Sequence, residues 1–295
     1  MAAAPASSRE ASPLLAWYAP RRRAFPWRRT RDPYRILVAE VMLQQTQAPR
    51  VARAYPTFLR RFPSIAVLAR ATRADVVAAW DGLGYNRRAL ALAECARAVV
   101  REHGGRIPRD ADALRTLPGV GTYTAAAVAS IAFGDRVPAL DVNVRRVVAR
   151  WRLGAEAHEV APSAVAAAAG RAIDRDDPGA WNQALMDVGR EHCRPRPRCA
   201  GCPLARACRF RRSGAVPSPA PRRSEPFAGS NRQIRGAVVR VLRGGPATVG
   251  RLATATGSPR ARIAVALSGL VRDGLVEAGP AALAGSASGR ARLRA

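Results

Sequence analysis

Residues 117–124 read Leu117-Pro118-Gly119-Val120-Gly121-Thr122-Tyr123-Thr124. Two glycines one residue apart stand between an apolar helical stretch, Ala111–Leu117, and an alanine-rich one, Tyr123–Phe133. Glycine permits the left-handed backbone that a tight hairpin needs, and proline ends the first helix. Such a hairpin leaves its backbone N–H groups bare, and the following helix offers its N-terminus. Both features bind phosphate without reading base sequence. Outward from this point the pattern stays helical from Pro13 to about Cys208. Ile36–Thr46, Val51–Phe62, Arg88–His103, Val142–Arg150, Ala161–Ile173 and Trp181–His192 carry helical spacing, with Pro26, Pro33, Pro56, Pro63, Pro108 and Pro138 as punctuation. Strand-like alternation is nearly absent, so the reading is all-α.

The 295 residues carry a formal net charge of +28, and every one of the 49 basic residues counted as Lys or Arg is arginine. A surface of that sign attracts polyanions, with nucleic acid the default partner. No run is long and apolar enough for a membrane span, and Met1–Pro13 lacks the apolar core of a secretion signal. The expectation is a cytoplasmic protein at the bacterial nucleoid, with no membrane partner, acting as a monomer. Of five cysteines, Cys95 sits alone in a helical pattern, while the others form Cys193-x5-Cys199-x2-Cys202-x5-Cys208. In a reducing compartment four such thiolates hold metal, either zinc or an iron–sulfur cube. Arg194, Arg196, Arg198, Arg206 and Arg209 are interleaved with them and would face a phosphate backbone.

Two carboxylates stand out. Glu40 interrupts the aliphatic run Ile36-Leu37-Val38-Ala39-Glu40-Val41-Met42-Leu43. Desolvation there would raise its pKa and leave a proton to donate near neutral pH. The alternative is a helix glutamate with its head in water. Asp141 follows Pro138 at the start of a helix, where N–H donors and the helix dipole would hold it ionised. It could be a cap and nothing more. One carboxyl kept neutral and one kept anionic are the acid and the charge stabiliser of a glycosyl transfer.

Together these residues resemble the helix-hairpin-helix DNA glycosylases that include endonuclease III and the MutY type. The resemblance covers about Leu14–Cys208. Ala39-Glu40-Val41-Met42-Leu43-Gln44-Gln45-Thr46-Gln47 and Gly82-Leu83-Gly84-Tyr85 look like MutY motifs, and Trp181-Asn182-Gln183-Ala184-Leu185-Met186-Asp187 is close to one. It implies a two-lobed helical fold with duplex DNA in the cleft between the lobes and a [4Fe–4S] cluster on the four cysteines. It implies adenine mispaired with 8-oxoguanine or guanine as the base removed, flipped out of the duplex. Glu40 would be the general acid and Asp141 would stabilise the oxocarbenium-like sugar, with Tyr123 holding the catalytic groups. Gln45 and Tyr85 would enter the stack, Arg28 and Gln183 would lie near the flipped adenine, and Gly119, Val120, Gly121 and Asn143 would contact DNA. Bifunctional relatives carry a Schiff-base lysine where this chain has Tyr123, so base removal without efficient strand cleavage is expected.

Residues 1–13 are expected to be disordered, 14–33 with 141–208 to form the helical domain bearing the cluster loop, 34–140 a six-helix domain with the hairpin, 209–230 a linker, 231–280 a small, basic winged-helix-like unit, and 281–295 a disordered tail. Residues 209–295 hold 16 arginines against 3 acids, a net +13. The chain departs from the family at the first cysteine gap, one residue short, and at Val142, where glycine is usual. The residues after Phe210 lack the strand pattern of the family's β-rich Nudix-like domain, so a short form without it is expected. A non-catalytic iron–sulfur DNA-binding protein, or a glycosylase for another base such as mismatched thymine, stays open as an alternative.

Overall fold

The computed structural model describes residues 12–218 and 227–294; the other residues expected in the disordered N-terminus and part of the expected linker lie outside this range. The helices are α1 (Pro13–Tyr18), α2 (Pro33–Leu43), α3 (Ala48–Arg61), α4 (Ile65–Arg70), α5 (Arg73–Ala79), α6 (Arg87–His103), α7 (Ala111–Arg115) and α8 (Thr122–Phe133). They continue with α9 (Val142–Val148), α10 (Pro162–Ala172), α11 (Pro178–Glu191), α12 (Arg209–Arg212), α13 (Asn231–Leu242), α14 (Val249–Thr256), α15 (Arg260–Arg272) and α16 (Pro280–Leu283). Three short strands, β1 (Ala247–Thr248), β2 (Val276–Ala278) and β3 (Arg290–Leu293), complete the order. Contacts divide the chain into two compact units. One is Met1–Leu37, Pro108–Thr116 and Val120–Pro221; the other is Val38–Ile107, Leu117–Gly119 and Arg222–Ala295.

In the first unit α9 and α11 form the frame, with α1 and α10 packed beside them. Leu14, Val144, Val148, Val165, Trp181 and Leu185 share one core, and Cys193, Cys202 and Cys208 lie against it. Side-chain caps define the helix starts: Asp110 on α7, Asp141 on α9 and Asp177 on α11 each accept a backbone N–H three residues on. The α9 helix runs on into a five-residue π segment, Ala149–Leu153, and stops at left-handed Gly154.

In the second unit Phe58 of α3 meets Trp80 edge to face at 5.7 Å. Arg97 of α6 donates to the Ala69 and Ala71 carbonyls at the end of α4. Helices α13, α14 and α15 and the antiparallel sheet in the order β1-β3-β2 make the winged-helix arrangement expected for the C-terminal part. Its core includes Ile234, Val238, Leu252, Ile263, Leu267 and Val276, and it is continuous with Val77 of α5 and Leu90 of α6.

The expectation of a disordered tail at 281–295 is corrected here. This stretch finishes α16 and forms β3, the central strand of the sheet, with Ala291 opposite Ala247 and Leu293 opposite Val276. Its order comes from pairing: β3 hydrogen-bonds on both edges, so its backbone donors and acceptors are used despite a composition poor in strand formers. Part of the expected linker is also ordered, since Arg209–Arg212 form α12 and Phe210 is buried.

Candidate active site and nucleic-acid interface

Beyond the exposed Arg35 in its first turn, helix α2 is buried from Ile36 to Met42, as in a helix enclosed by protein. Leu37, Val38, Ala39 and Met42 are fully buried, and Glu40 among them is only 5% exposed. The solvated-glutamate alternative for this residue is therefore removed. The helix ends at Leu43, three residues earlier than the sequence pattern implies, because Gln45 leaves the helical backbone with φ 55°.

Gln45 and Tyr85 are the two non-glycine residues with positive φ among the described residues. A left-handed backbone costs a residue with a Cβ about 1–2 kcal/mol, so both turns need external support. Arg88, in the first turn of α6, supplies it. Its Nη1 donates to the Val41 and Met42 carbonyls, each at 2.9 Å, and to that of Gln44. Its Nη2 donates to Thr46 Oγ1 at 2.9 Å and to the carbonyls of Leu83 at 3.2 Å and Gly84 at 3.0 Å. The Trp80 indole donates to the same Gly84 carbonyl at 3.1 Å. Burial lowers the Arg88 pKa to about 10, which still leaves the side chain charged at neutral pH. Tyr85 remains 42% exposed, and its hydroxyl accepts a hydrogen bond from Arg232 of α13 at 3.0 Å.

The hairpin forms as its glycines require. Gly119 has φ 74°, and a Cβ on it would fall 2.7 Å from Ala91 Cβ of α6. Gly121 is the N-cap of α8, and its neighbours Gly119 and Thr122 are exposed, while Val120 is buried. Tyr123, in the first turn of α8, donates to Met186 Sδ at 3.6 Å.

Asp141 caps α9, accepting from Val144 N at 2.6 Å and from Asn143 Nδ2 at 3.1 Å. Asn143 in turn accepts from Arg146 at 2.8 Å, and Arg146 donates to the Gly189 carbonyl at 3.1 Å and the Cys193 carbonyl at 2.6 Å. A continuous hydrogen-bonded chain thus runs from the candidate catalytic carboxylate to the first cysteine. Gly189 makes room for it, since a Cβ there would meet Asn143 Cβ at 2.8 Å. Val142 opens α9 in the ordinary helical region, so the β-branched side chain fits without strain; it is 74% exposed.

Gln183 lies on α11, and Arg28 is tied to the same helix through Asp187. Arg28 pairs with Asp187 through two hydrogen bonds of 2.6 and 3.0 Å, both side chains under a tenth exposed. Gln183 accepts from Tyr18 Oη at 2.6 Å. Asn182, buried beside it, holds Ala139 N and Ser130 Oγ.

The cysteine loop hangs from a buried ion pair. Arg150 Nη2 meets Glu156 at 2.6 Å, and the same guanidinium donates to the Arg194 carbonyl at 2.6 Å and the Pro195 carbonyl at 3.0 Å. Its Nη1 lies 3.8 Å from Cys193 Sγ, and Cys208 Sγ lies 3.6 Å from its carbonyl oxygen. Burial first, and then charge repulsion from Cys193, Cys199 and Cys208, push the Cys202 thiol up to about 11. The other three sulfurs thus act on Cys202, and a cationic centre among them would relieve that repulsion. Among the described residues, no three His, Cys, Asp or Glu side chains close around a single ion. The donor chemistry, four soft thiols on one loop, suits either zinc or an iron–sulfur cube.

Several of these residues escape sequence reasoning: Arg88, Arg146, the Arg150–Glu156 pair, Tyr18 and Met186. The one available signal was the turn Gly82-Leu83-Gly84, whose carbonyls need donors. No helix among the described residues is long and apolar enough to cross a membrane.

The model of the HhH-GPD superfamily of base excision DNA repair proteins matches residues 38–168. An adenine DNA glycosylase of Mycobacterium tuberculosis is 44% identical over 271 residues, spanning 89% of this chain and 88% of the relative. One of Mycolicibacterium smegmatis is 41% identical over 268 residues, 90% and 91% of the two chains. Among solved structures, a thermostable thymine-DNA glycosylase superposes with a TM-score of 0.64 at 33% identity, covering 68% of this chain and 94% of that one. With the glycine hairpin, the enclosed glutamate and the capping aspartate, these likenesses show that the chain belongs to the HhH-GPD superfamily of base excision DNA repair proteins and, within it, to the adenine DNA glycosylase family.

Proposed function

We propose that the protein removes adenine mispaired with 8-oxoguanine or guanine from double-stranded DNA and leaves the strand intact. The observation that carries this reading is the burial of Glu40, the one charged side chain in Ile36–Leu43. A carboxyl withdrawn from water holds its proton more readily than one in water, and can give it to the adenine ring. Protonation makes the base a better leaving group: the glycosidic electron pair departs with it, and positive charge develops on the sugar. Asp141, already oriented by Val144 N and Asn143, supplies the compensating negative charge until water adds to the sugar carbon. Tyr123 steadies the catalytic groups.

The remaining residues serve binding. Gln45 and Tyr85 fill the space left by the flipped nucleotide. The N–H groups of Gly119, Val120 and Gly121 take a phosphate, and Asn143 contacts DNA while orienting Asp141. Arg28 and Gln183 border the flipped adenine, fixed by Asp187 and Tyr18. Cys193, Cys199, Cys202 and Cys208 would hold a [4Fe–4S] cluster, which when bound supplies structural charge balance for the loop and an electron-transfer centre. The exposed arginines of that loop would then face the phosphate backbone. We read the working form as a monomer in the bacterial cytoplasm.

The chain contains no lysine, so no side-chain amine can form a Schiff base with the sugar. A panel of duplexes with adenine opposite 8-oxoguanine, adenine opposite guanine, and thymine opposite guanine tests the reading. Alkali-labile sites at adenine, with little borohydride-trapped adduct, are expected. Product from the thymine duplex alone would favour the second reading, mismatched-thymine excision, which the likeness to the thymine-DNA glycosylase structure keeps open. Absence of product from every duplex would leave only a DNA-binding role.

A further inference from the structure

Gln45 and Tyr85 stand on separate loops, one after α2 and the other before α6, yet both have left-handed backbones. Each loop is tied to the same side chain. We propose that Arg88 is the positioning residue that sets both DNA-entering side chains at once, and fixes them to the end of the helix that carries Glu40. What those two side chains do rests on the function proposed above; the way they are held is independent of it.

The division of the guanidinium supports this. Nη1 faces the C-terminal carbonyls of α2, those of Val41 and Met42, together with that of Gln44. The last carbonyls of a helix lack intrahelical partners and carry partial negative charge, so a cation satisfies both needs. Nη2 faces Thr46 Oγ1 from the Gln45 loop and the Leu83 and Gly84 carbonyls from the Tyr85 loop. The acceptors are five carbonyls and one hydroxyl, all neutral, which makes the group a template rather than half of an ion pair. Thr46 also donates to the Leu83 carbonyl at 3.3 Å, closing the link between the loops. The guanidinium carbon lies 5.4 Å from the Tyr85 ring centre and 5.5 Å from that of Trp80. A lysine has one nitrogen and cannot serve both ends of this arrangement.

The relation of parts implies a division of labour. If extrusion of the base depends on two side chains arriving together, a single half-buried fork that fixes both removes the need to order them during the reaction. The prediction is a defect concentrated in base extrusion, with undamaged-duplex binding largely retained.

The test uses the full-length protein, as wild type and as Arg88→Ala, Arg88→Lys and Thr46→Val. Hydrogen exchange of the free protein should show faster exchange at residues 43–47 and 82–86 together in each variant. A duplex carrying 2-aminopurine at the target position should lose its fluorescence rise with both Arg88 variants. Single-turnover excision opposite 8-oxoguanine should fall by on the order of 10²-fold, the effect of a ~1 Å misplacement. With an abasic site opposite the adenine, unpairing costs less, and the loss should be clearly smaller. Thr46→Val keeps the local shape and Arg88 itself, so it guards against a misfolded variant; its rate should fall by about threefold to tenfold, the worth of one hydrogen bond. Exchange unchanged at either loop, or equal losses on both substrates, would overturn the proposal. If wild type itself excises nothing, the reaction assigned above fails, while the exchange measurement still decides whether Arg88 holds both loops.

Discussion

At Gly119 a methyl group has nowhere to go. The residue combines φ 74° with a virtual Cβ only 2.7 Å from Ala91 Cβ. Gly119→Ala should therefore destabilise the protein by about 2–4 kcal/mol, adding backbone strain to overpacking, as read from a denaturant midpoint. Asp141 separates structure from chemistry more cleanly. Asparagine caps a helix as well as aspartate does, so Asp141→Asn should leave the melting temperature nearly unchanged while single-turnover excision collapses. Loss of stability in step with activity would reduce Asp141 to a cap. Glu40 and Asp141 were legible as candidates because each stands where a pattern breaks: a carboxylate in an aliphatic run, and an acid just before a helical stretch. Arg88 was not legible. In a chain where all 49 basic residues are arginine, the identity of any one carries little information, and its partners are backbone carbonyls that no sequence pattern exposes.

Among the elements, α2 and the cysteine loop carry the largest consequences. The sequence pattern runs α2 to Thr46 because Gln44, Gln45 and Thr46 do not forbid helix; the early stop coincides with the left-handed backbone of Gln45, and the freed Gln44 carbonyl accepts from Arg88. The cysteine loop was recognisable from spacing alone, yet its anchor was hidden, since Arg150 and Glu156 sit six residues apart, a spacing that no helix or strand pattern pairs. Both are now found buried, 2% and 3% exposed. Arg150→Met would strand the Glu156 carboxylate and release the Arg194 and Pro195 carbonyls. A buried pair broken on one side costs about 3–5 kcal/mol. The variant should have a lower melting temperature and lose the broad visible absorption expected of a [4Fe–4S] protein. Retained colour at unchanged stability would show that the loop is anchored elsewhere. The β3 strand escaped notice for a different reason: its inward residues, Ala291 and Leu293, are few and flanked by arginines, so alternation is too short to separate from a basic tail.

For the whole molecule, the C-terminal winged unit is joined to the rest of its compact unit by shared core as well as by chain. Val77 and Leu90 pack into its interior, Arg243 pairs with Asp81 and donates to the Val77 carbonyl at 3.1 Å, and Arg73 donates to the Gly274 carbonyl. A chain ending at Ser218 would expose both aliphatic side chains, each worth about 1.5–3 kcal/mol when buried, and should melt at a lower temperature than the full chain. An unchanged melting temperature would mean that the winged unit is a separate appendage. The helical class and the hairpin were legible from composition and periodicity, and the winged order from its three helices; its attachment was not, because it depends on contacts more than a hundred residues apart.

The most direct measurement compares wild type with Glu40→Gln on a duplex containing adenine opposite 8-oxoguanine, in a single turnover followed by alkali. The amide keeps the shape of the side chain and removes the donated proton. Wild type should yield alkali-labile product, and the variant should bind the same duplex with similar affinity yet yield essentially none. Excision by Glu40→Gln at a rate near that of wild type would contradict the assignment of this buried carboxyl as the acid.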